Sequence, residues 1–176
     1  MLSARLKYKR LEAGCDEVGR GCLSGPVVAA AVILPPRFKH VDIIDSKKLS
    51  EKKRVQMVQL IKKKAISWAV SEVSPEVIDE INILNASFLA MTQAVQQLKV
   101  RPEFLLIDGN RFRSKLEIPF ECIIKGDSKI GSIAAASILA KDYRDNLMKR
   151  LHDDHPEYGW NTNVGYPTIT HRKAIE

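Results

Sequence analysis

Four acidic residues stand where apolar segments of the sequence stop, and their type and placement could support chemistry. Asp16 and Glu17 end the first strand-like segment, Asp108 directly follows a short apolar run, and Asp127 comes three residues after another. If the ends of these strands converge, the four carboxylates lie close together and repel one another unless a divalent cation neutralises them. Oxygen ligands without His or thiolate suit Mg²⁺ or Mn²⁺ rather than zinc. The pattern favours a metal site, and the alternative that each acid only caps a turn or helix stays open.

Asp16 and Glu17 are neighbours, so on a regular strand their side chains point to opposite faces of a sheet. They can share one site only if the backbone turns there, and Gly19 and Gly21 make such a turn plausible. We therefore expect the first strand to end at the acids.

Three short polar segments could bind a nucleotide or phosphate. Gly19-Arg20-Gly21 allows close backbone approach to a sugar and brings a guanidinium, although it could equally be a simple turn. Asp45-Ser46-Lys47-Lys48 offers anion donors before a helix, or is only a capped helix start. Gly165-Tyr166-Pro167-Thr168 predicts a turn that presents an aromatic ring, either to a nucleotide or to the edge of the core.

The elements that must position these residues are five predicted strands and three predicted helices. Alternation and short apolar runs predict strands at 11–16, 27–34, 66–71, 104–107 and 120–124. Early strands joined by short connections can pair antiparallel, while strands that arrive through helices must add in parallel. The order predicts an α/β fold with a mixed sheet at least partly covered by helices.

Helical spacing predicts the remaining elements. Ser50 can cap a helix with Val55, Val58 and Ile61 on one side, which the run Lys62–Lys64 ends. A second helix carries the apolar stripe 84–98, and a third runs from Ser132 to about Leu151. These apolar stripes are typical of core rather than of a cofactor site.

Composition narrows the function classes. The 176 residues form one ordinary domain in size, with 28 Lys and Arg against 21 Asp and Glu, a net charge of +7 that favours polyanionic partners. The longest apolar stretch, Val27–Leu34, is too short for a membrane span, and no secretory signal precedes it. Three cysteines without C-x-x-C spacing favour a reducing compartment, and we expect a cytoplasmic protein.

Several of these segments together closely resemble the ribonuclease HII family, and they cover nearly the whole chain in the right order. The resemblance implies an α/β ribonuclease H-like fold, a mixed five-stranded sheet flanked by helices. The matching stretches are AGCDEVGRGCLSGPVVAAAVIL from Ala13, DSKKLS from Asp45, IDEINILNASFLAM from Ile78, LLIDGN from Leu105, KGDSKIGSIAAASILAK from Lys125, RDNLM from Arg144 and GYPT from Gly165.

The resemblance also implies an activity: hydrolysis of the RNA strand of RNA–DNA hybrids, and cleavage 5′ of ribonucleotides embedded in duplex DNA by two-metal-ion catalysis. The resemblance implies that the catalytic, metal-binding carboxylates are those of Asp16, Glu17, Asp108 and Asp127. These are the same four acids that stand where the apolar segments end. The resemblance further implies that the backbone of Gly19–Gly21 recognises a ribose 2′-hydroxyl, that Tyr166 stacks on the next sugar, and that Ser46 and Lys47 contact phosphate. The cofactors would be Mg²⁺ or Mn²⁺, and the products 3′-hydroxyl and 5′-phosphate ends.

The chain departs from the family pattern in places. Asp142 interrupts a segment that is often aliphatic and is a rival fourth ligand, although Asp127 sits in the matching GDSK block. We expect residues 1–176 to form a single catalytic domain that lacks the usual C-terminal extension and acts as a monomer. Two alternatives are a non-catalytic nucleic-acid-binding module on the same scaffold and a ribonuclease HIII-like enzyme, which typically has an extra N-terminal domain.

Overall fold

The computed structural model describes residues 1–7, 9–43, 46 and 49–176 and contains one mixed five-stranded sheet. The strands are ordered β3-β2-β1-β4-β5. β1, β2 and β3 pair antiparallel, whereas β4 joins β1 in parallel and β5 joins β4 in parallel. This confirms the predicted mixed sheet, whose strands are β1 (Glu12–Val18), β2 (Val27–Ile33), β3 (Ser67–Val73), β4 (Phe104–Asp108) and β5 (Phe120–Ile123).

Helices cover both faces of the sheet. One face packs against α2, and the other packs against α1 and α3. β2 is covered by helices on both faces of the sheet, and each of its residues is buried, which explains its unbroken apolar sequence. The helices are α1 (Glu51–Lys64), α2 (Pro75–Gln96), α3 (Gly131–Asp154), α4 (Trp160–Asn163) and α5 (Ile169–Ile175), with 3₁₀ turns at Gly126–Ser128 and Pro156–Tyr158. None of the helices within the described residues is long and apolar enough to cross a membrane.

The predicted α1 is correct in position but wrong at one core residue. The Ser50 side chain accepts a hydrogen bond from the Lys53 backbone N–H, as the capping argument expects. Val58 and Ile61 are buried, whereas Val55 is 46% exposed. Positions spaced by three drift around a helix of 3.6 residues per turn, and Met57 takes the core position instead.

α2 begins nine residues before the predicted apolar stripe and is broken at Asn82, which has φ 66° and ψ 161°. The Asn82 side-chain oxygen accepts hydrogen bonds from the N–H groups of Leu84 and Asn85 and so caps the second segment. The stripe that starts at Leu84 therefore marks the second segment. The first segment, which begins at Pro75, lies before the break at Asn82 and outside that stripe. The spacing of apolar residues from Leu84 therefore did not predict it.

Parallel pairing brings the carboxyl ends of β1, β4 and β5 to one edge of the sheet. α3 crosses this part of the sheet and packs more closely on β1 than on any other strand. Gly14 permits this contact, because a Cβ there would collide with the backbone of Ser132 and Ile133. The long helix is thus pressed against the strand that carries the first two acids.

Candidate active site

Asp16 and Glu17 lie within β1 and point to opposite faces of the sheet. Asp16 faces α3 and is 6% exposed, whereas Glu17 is on the side of Cys15, which packs against α2. The strand continues to Val18, so the expectation that the backbone turns at the acids was wrong. Both carboxylates nevertheless line one cavity of ≈ 920 Å³, because they lie at the end of the strand, where side chains from both faces reach around the sheet edge.

The same cavity is lined by Asp108 and Asp127. Asp108 ends β4, and its Oδ1 accepts a hydrogen bond of 2.6 Å from the backbone N–H of Gly126. That bond ties the end of β4 to the 3₁₀ turn that carries Asp127. The structure therefore brings all four predicted acids to one cavity.

Burial and mutual repulsion raise the pKa of Asp16 well above its usual range. Desolvation is the main cause, followed by the charges of Glu17 and Asp108. Two hydrogen bonds oppose the shift, one from the side chain of Ser137 and one of 2.8 Å from the backbone N–H of Glu17. The carboxylate is held in place, but its negative charge is poorly solvated.

Glu17 is in a milder version of the same environment. Its pKa is raised by burial and by Asp108, and lowered by a 3.0 Å hydrogen bond from Arg20 Nη1. Arg20 is otherwise exposed to solvent. Arg20 therefore offsets part of the negative charge of Glu17, while the repulsion between Glu17 and Asp108 remains.

Asp142, the rival to Asp127 as fourth acid, lies away from the other three acids. Its Oδ1 is 3.8 Å from Arg54 Nε, and it lines a separate cavity with Lys62 and Trp68. Only Asp127 of the two lies with the other acids.

The predicted substrate-binding residues surround the acid cavity where the structure describes them. Arg20, Gly21, Ser46 and Tyr166 line it, and Gly19 lies next to Arg20 with φ 108°. Lys47 lies outside the described residues.

Comparison with known proteins assigns this arrangement to a family. The family model described as Ribonuclease HII matches residues 13–176. The ribonuclease HII of Bacteroides thetaiotaomicron is 61% identical over 175 residues, which cover 99% of this chain and 88% of that protein. The chain belongs to the ribonuclease HII family.

Solved structures of relatives agree with this assignment. The ribonuclease H2 of Pyrococcus horikoshii superposes with a TM-score of 0.80 at 25% identity, covering 93% of this chain and 84% of that one. The ribonuclease HII of Archaeoglobus fulgidus, solved with PCNA, gives 0.74 at 28% identity and covers 94% and 86%. The predicted resemblance, the ribonuclease H-like fold and the class of hydrolase with ribonuclease H activity are confirmed.

A ribonuclease HII depends on divalent metal, and the donor set of the cavity suits one. Four carboxylates provide hard oxygen ligands, and a cation would offset the burial and the repulsion that raise the pKa of Asp16. Across the described part of the chain, no three His, Cys, Asp or Glu side chains are gathered closely enough to hold an ion as they stand.

Several residues that contact the site or its loops were not predicted from the sequence. Ser137 on α3 lines the cavity and joins Asp16 to Ser46, whose hydroxyl lies 3.0 Å from its own. Arg144 and His171 are fully buried polar side chains near the substrate-binding loops. A serine within an Ala-rich helix gives little signal, and a buried arginine or histidine looks like a surface residue until its neighbours are known.

Proposed function

We propose that this chain hydrolyses the RNA strand of RNA–DNA hybrids and cuts 5′ of ribonucleotides embedded in duplex DNA, leaving 3′-hydroxyl and 5′-phosphate ends. The observation that carries the proposal is the single cavity lined by Asp16, Glu17, Asp108 and Asp127 together with Arg20, Gly21 and Tyr166. Acids suited to metal and groups suited to a sugar occur there side by side.

The four carboxylates hold Mg²⁺ or Mn²⁺ in this proposal. Bound cations supply the acidity that activates a water and the charge that stabilises the leaving oxygen. Asp108 is fixed by the Gly126 N–H and Asp16 by the Glu17 N–H, so both present an oxygen in a set orientation. Burial of Asp16 keeps water from competing for its oxygens.

Substrate selection falls to the residues beside the acids. Among the residues that the structure describes, no heavy atom beyond Gly21 and its two chain neighbours lies within 4 Å of the position that a Gly21 Cβ would take, which leaves room for a sugar against the backbone. The backbone of Gly19–Gly21 would recognise the 2′-hydroxyl, the group that distinguishes RNA from DNA. Tyr166 would stack on the following sugar, and Ser46, Lys47 and Lys141 would contact phosphates.

The biological role we infer is removal of ribonucleotides misincorporated into DNA by a cytoplasmic enzyme. The four acids and the substrate-binding residues come from 16–166, so residues 1–176 would act as one catalytic domain. We also propose that the protein works as a monomer.

The test is cleavage of two duplexes, one with a single ribonucleotide in DNA and one with an all-RNA strand, in Mg²⁺ and in Mn²⁺. We expect the wild-type protein to cut both duplexes. Asp108→Asn should lose at least about 10³-fold in kcat, because an uncharged amide would replace a carboxylate that holds metal in this proposal. Asp142→Asn is the matched control, since Asp142 lies in a different cavity.

Two outcomes would contradict the proposal. Near-wild-type cleavage by Asp108→Asn would remove that residue from the metal site. Tight binding of both duplexes by the wild type without cleavage in either metal would favour the non-catalytic binding module.

A further inference from the structure

A fully buried guanidinium, that of Arg144 on α3, connects two loops beside the acid cavity. Its Nε donates to the carbonyl oxygen of Pro26 at 2.9 Å, and Nη2 donates to that of Ser24 at 2.8 Å. Nη1 donates to the carbonyl of Val164 at 2.6 Å. The first two acceptors belong to the loop between β1 and β2 and the third to the loop before α5, so one rigid fork fixes both.

These two loops carry the residues that we assign to sugar recognition. Gly19–Gly21 begins the first loop, and Tyr166 follows Val164 by two residues. Both loops pack directly on the guanidinium: a Cβ on Gly19 would lie 2.7 Å from Arg144 Nε, and one on Gly165 would lie 3.2 Å from Nη2. A direct bond from Leu23 N–H to the Gly165 carbonyl, 2.9 Å long, closes the gap between the loops.

His171, fully buried at the start of α5, fixes the second loop. Its Nε2 lies 3.0 Å from the indole nitrogen of Trp160, and an indole N–H can only donate, so Nε2 accepts. The ring proton is therefore on Nδ1, which donates to the backbone carbonyl of Tyr166 at 2.9 Å. The Ser24 hydroxyl, 3.4 Å from Nε2, connects the same ring to the first loop.

We propose that Arg144 and His171 are positioning residues that set the spacing between Gly19–Gly21 and Tyr166. They thereby determine the preference for a single ribonucleotide followed by DNA over continuous RNA. The inference rests on the proposed function of those two segments. A ribonucleotide–deoxyribonucleotide junction is read at two successive sugars, so it demands a fixed spacing, whereas continuous RNA offers a 2′-hydroxyl at every register.

Neither side chain lines the acid cavity, which separates this role from metal binding. Replacing either residue should change substrate preference and leave the metal concentration for half-maximal activity unchanged. A purely structural role would lower activity on both duplexes by the same factor.

The experiment measures kcat and KM on the single-ribonucleotide duplex and on the all-RNA hybrid for wild type, Arg144→Lys and His171→Leu. We expect both variants to lower the ratio of kcat/KM on the single-ribonucleotide duplex to kcat/KM on the all-RNA hybrid by about tenfold or more. His171→Asn, which keeps a donor toward the Tyr166 carbonyl, should restore most of the ratio. Arg150→Lys is the matched control, because Arg150 is an exposed arginine on the same helix.

A double-mutant cycle keeps the test decisive if Arg144→Lys does not fold. His171 acts through Tyr166 in this proposal, so His171→Leu should not change the ratio further in a Tyr166→Ala background. An equal fall on both duplexes, or a full effect of His171→Leu without Tyr166, would overturn the inference. Failure of the wild type to cut either duplex would refute the proposed function instead.

Discussion

At the scale of single residues, Asp16 combines high burial with two neighbouring charges. Desolvation, Glu17 and Asp108 all raise its pKa, and the hydrogen bond from Ser137 only partly offsets them. A carboxylate whose pKa is higher in the folded than in the unfolded state costs stability as pH rises from the unfolded value through the folded one. Keeping Asp16 ionised at neutral pH therefore opposes folding in the absence of metal.

This cost predicts that Asp16→Asn is more stable than wild type in EDTA at pH 7 and inactive. About 1 kcal/mol of gain would raise Tm by roughly 2–4 °C in a domain of this size. Thermal unfolding should show the difference shrink as the pH falls from 7 toward about 4, the pKa of an unfolded aspartate, because the folded protein takes up the Asp16 proton before that pH is reached. Mn²⁺ should raise the Tm of wild type more than that of the variant.

Asp79→Asn, at an exposed site on α2, is the control and should leave Tm unchanged. Equal Tm values for wild type and Asp16→Asn at pH 7 in EDTA would show that the ionised carboxylate costs nothing.

The four acids could be predicted from sequence, whereas the residues that hold them in place could not. An acid at the end of an apolar run is a contrast visible along the chain, as at Asp108. Ser137 contacts Asp16 only because α3 crosses β1, and His171 reaches the Tyr166 carbonyl only after α5 folds back. Such roles depend on tertiary neighbours, which residue type and local spacing do not encode.

At the scale of elements, the mixed sheet was predicted from sequence, while the order of its strands and the break in α2 were not. β1 and β2 are joined by residues 19–26 without a helix and pair antiparallel, and β4 arrives through α2 and adds in parallel to β1, as predicted. The connections do not explain the other two pairings: β3 follows β2 through α1 and still pairs antiparallel, and β5 follows β4 through residues 109–119, which contain no helix, and still pairs in parallel. Asn82 breaks α2 with a backbone conformation that is nearly restricted to glycine. A single asparagine gives no periodicity signal. The adjacent Ile83 lines the cavity that holds the four acids, so the break in α2 lies beside the candidate active site.

The break predicts a rank order of stabilities at position 82. Asn82→Ala loses the cap on Leu84 and Asn85 without relieving the backbone, and should lower the free energy of unfolding by about 1–2 kcal/mol. Asn82→Gly also loses the cap but adopts the conformation freely, so it should lose less. Asn82→Asp keeps the acceptor and should remain closest to wild type. Urea unfolding at equal m-values measures this order. An alanine variant as stable as the glycine variant would show that the backbone conformation at position 82 is not strained.

At the scale of the whole molecule, a net positive chain concentrates acids in one cavity and must still attract a polyanion. The charge of +7 supplies long-range attraction, and Lys141 brings a cation to the cavity itself. Lys141 Nζ lies 2.7 Å from Asp145 and 5.6 Å from the centre of the Tyr166 ring. Composition alone indicated a polyanionic partner, but only the fold shows which lysine stands beside the predicted sugar contacts.

This placement predicts that Lys141 contributes one phosphate contact and that a remote lysine contributes none. Binding of an RNA–DNA hybrid by Asp108→Asn should weaken steeply with salt, and adding Lys141→Met should reduce the slope of log K against log salt by about 1. Asp145 keeps its 2.9 Å partner Arg54 in that variant, so the helix should stay intact. Lys64→Met removes the same charge at the exposed end of α1 and should leave the slope unchanged. Equal slopes for the two lysine variants would mean that only net charge matters, and would remove Lys141 from the substrate groove.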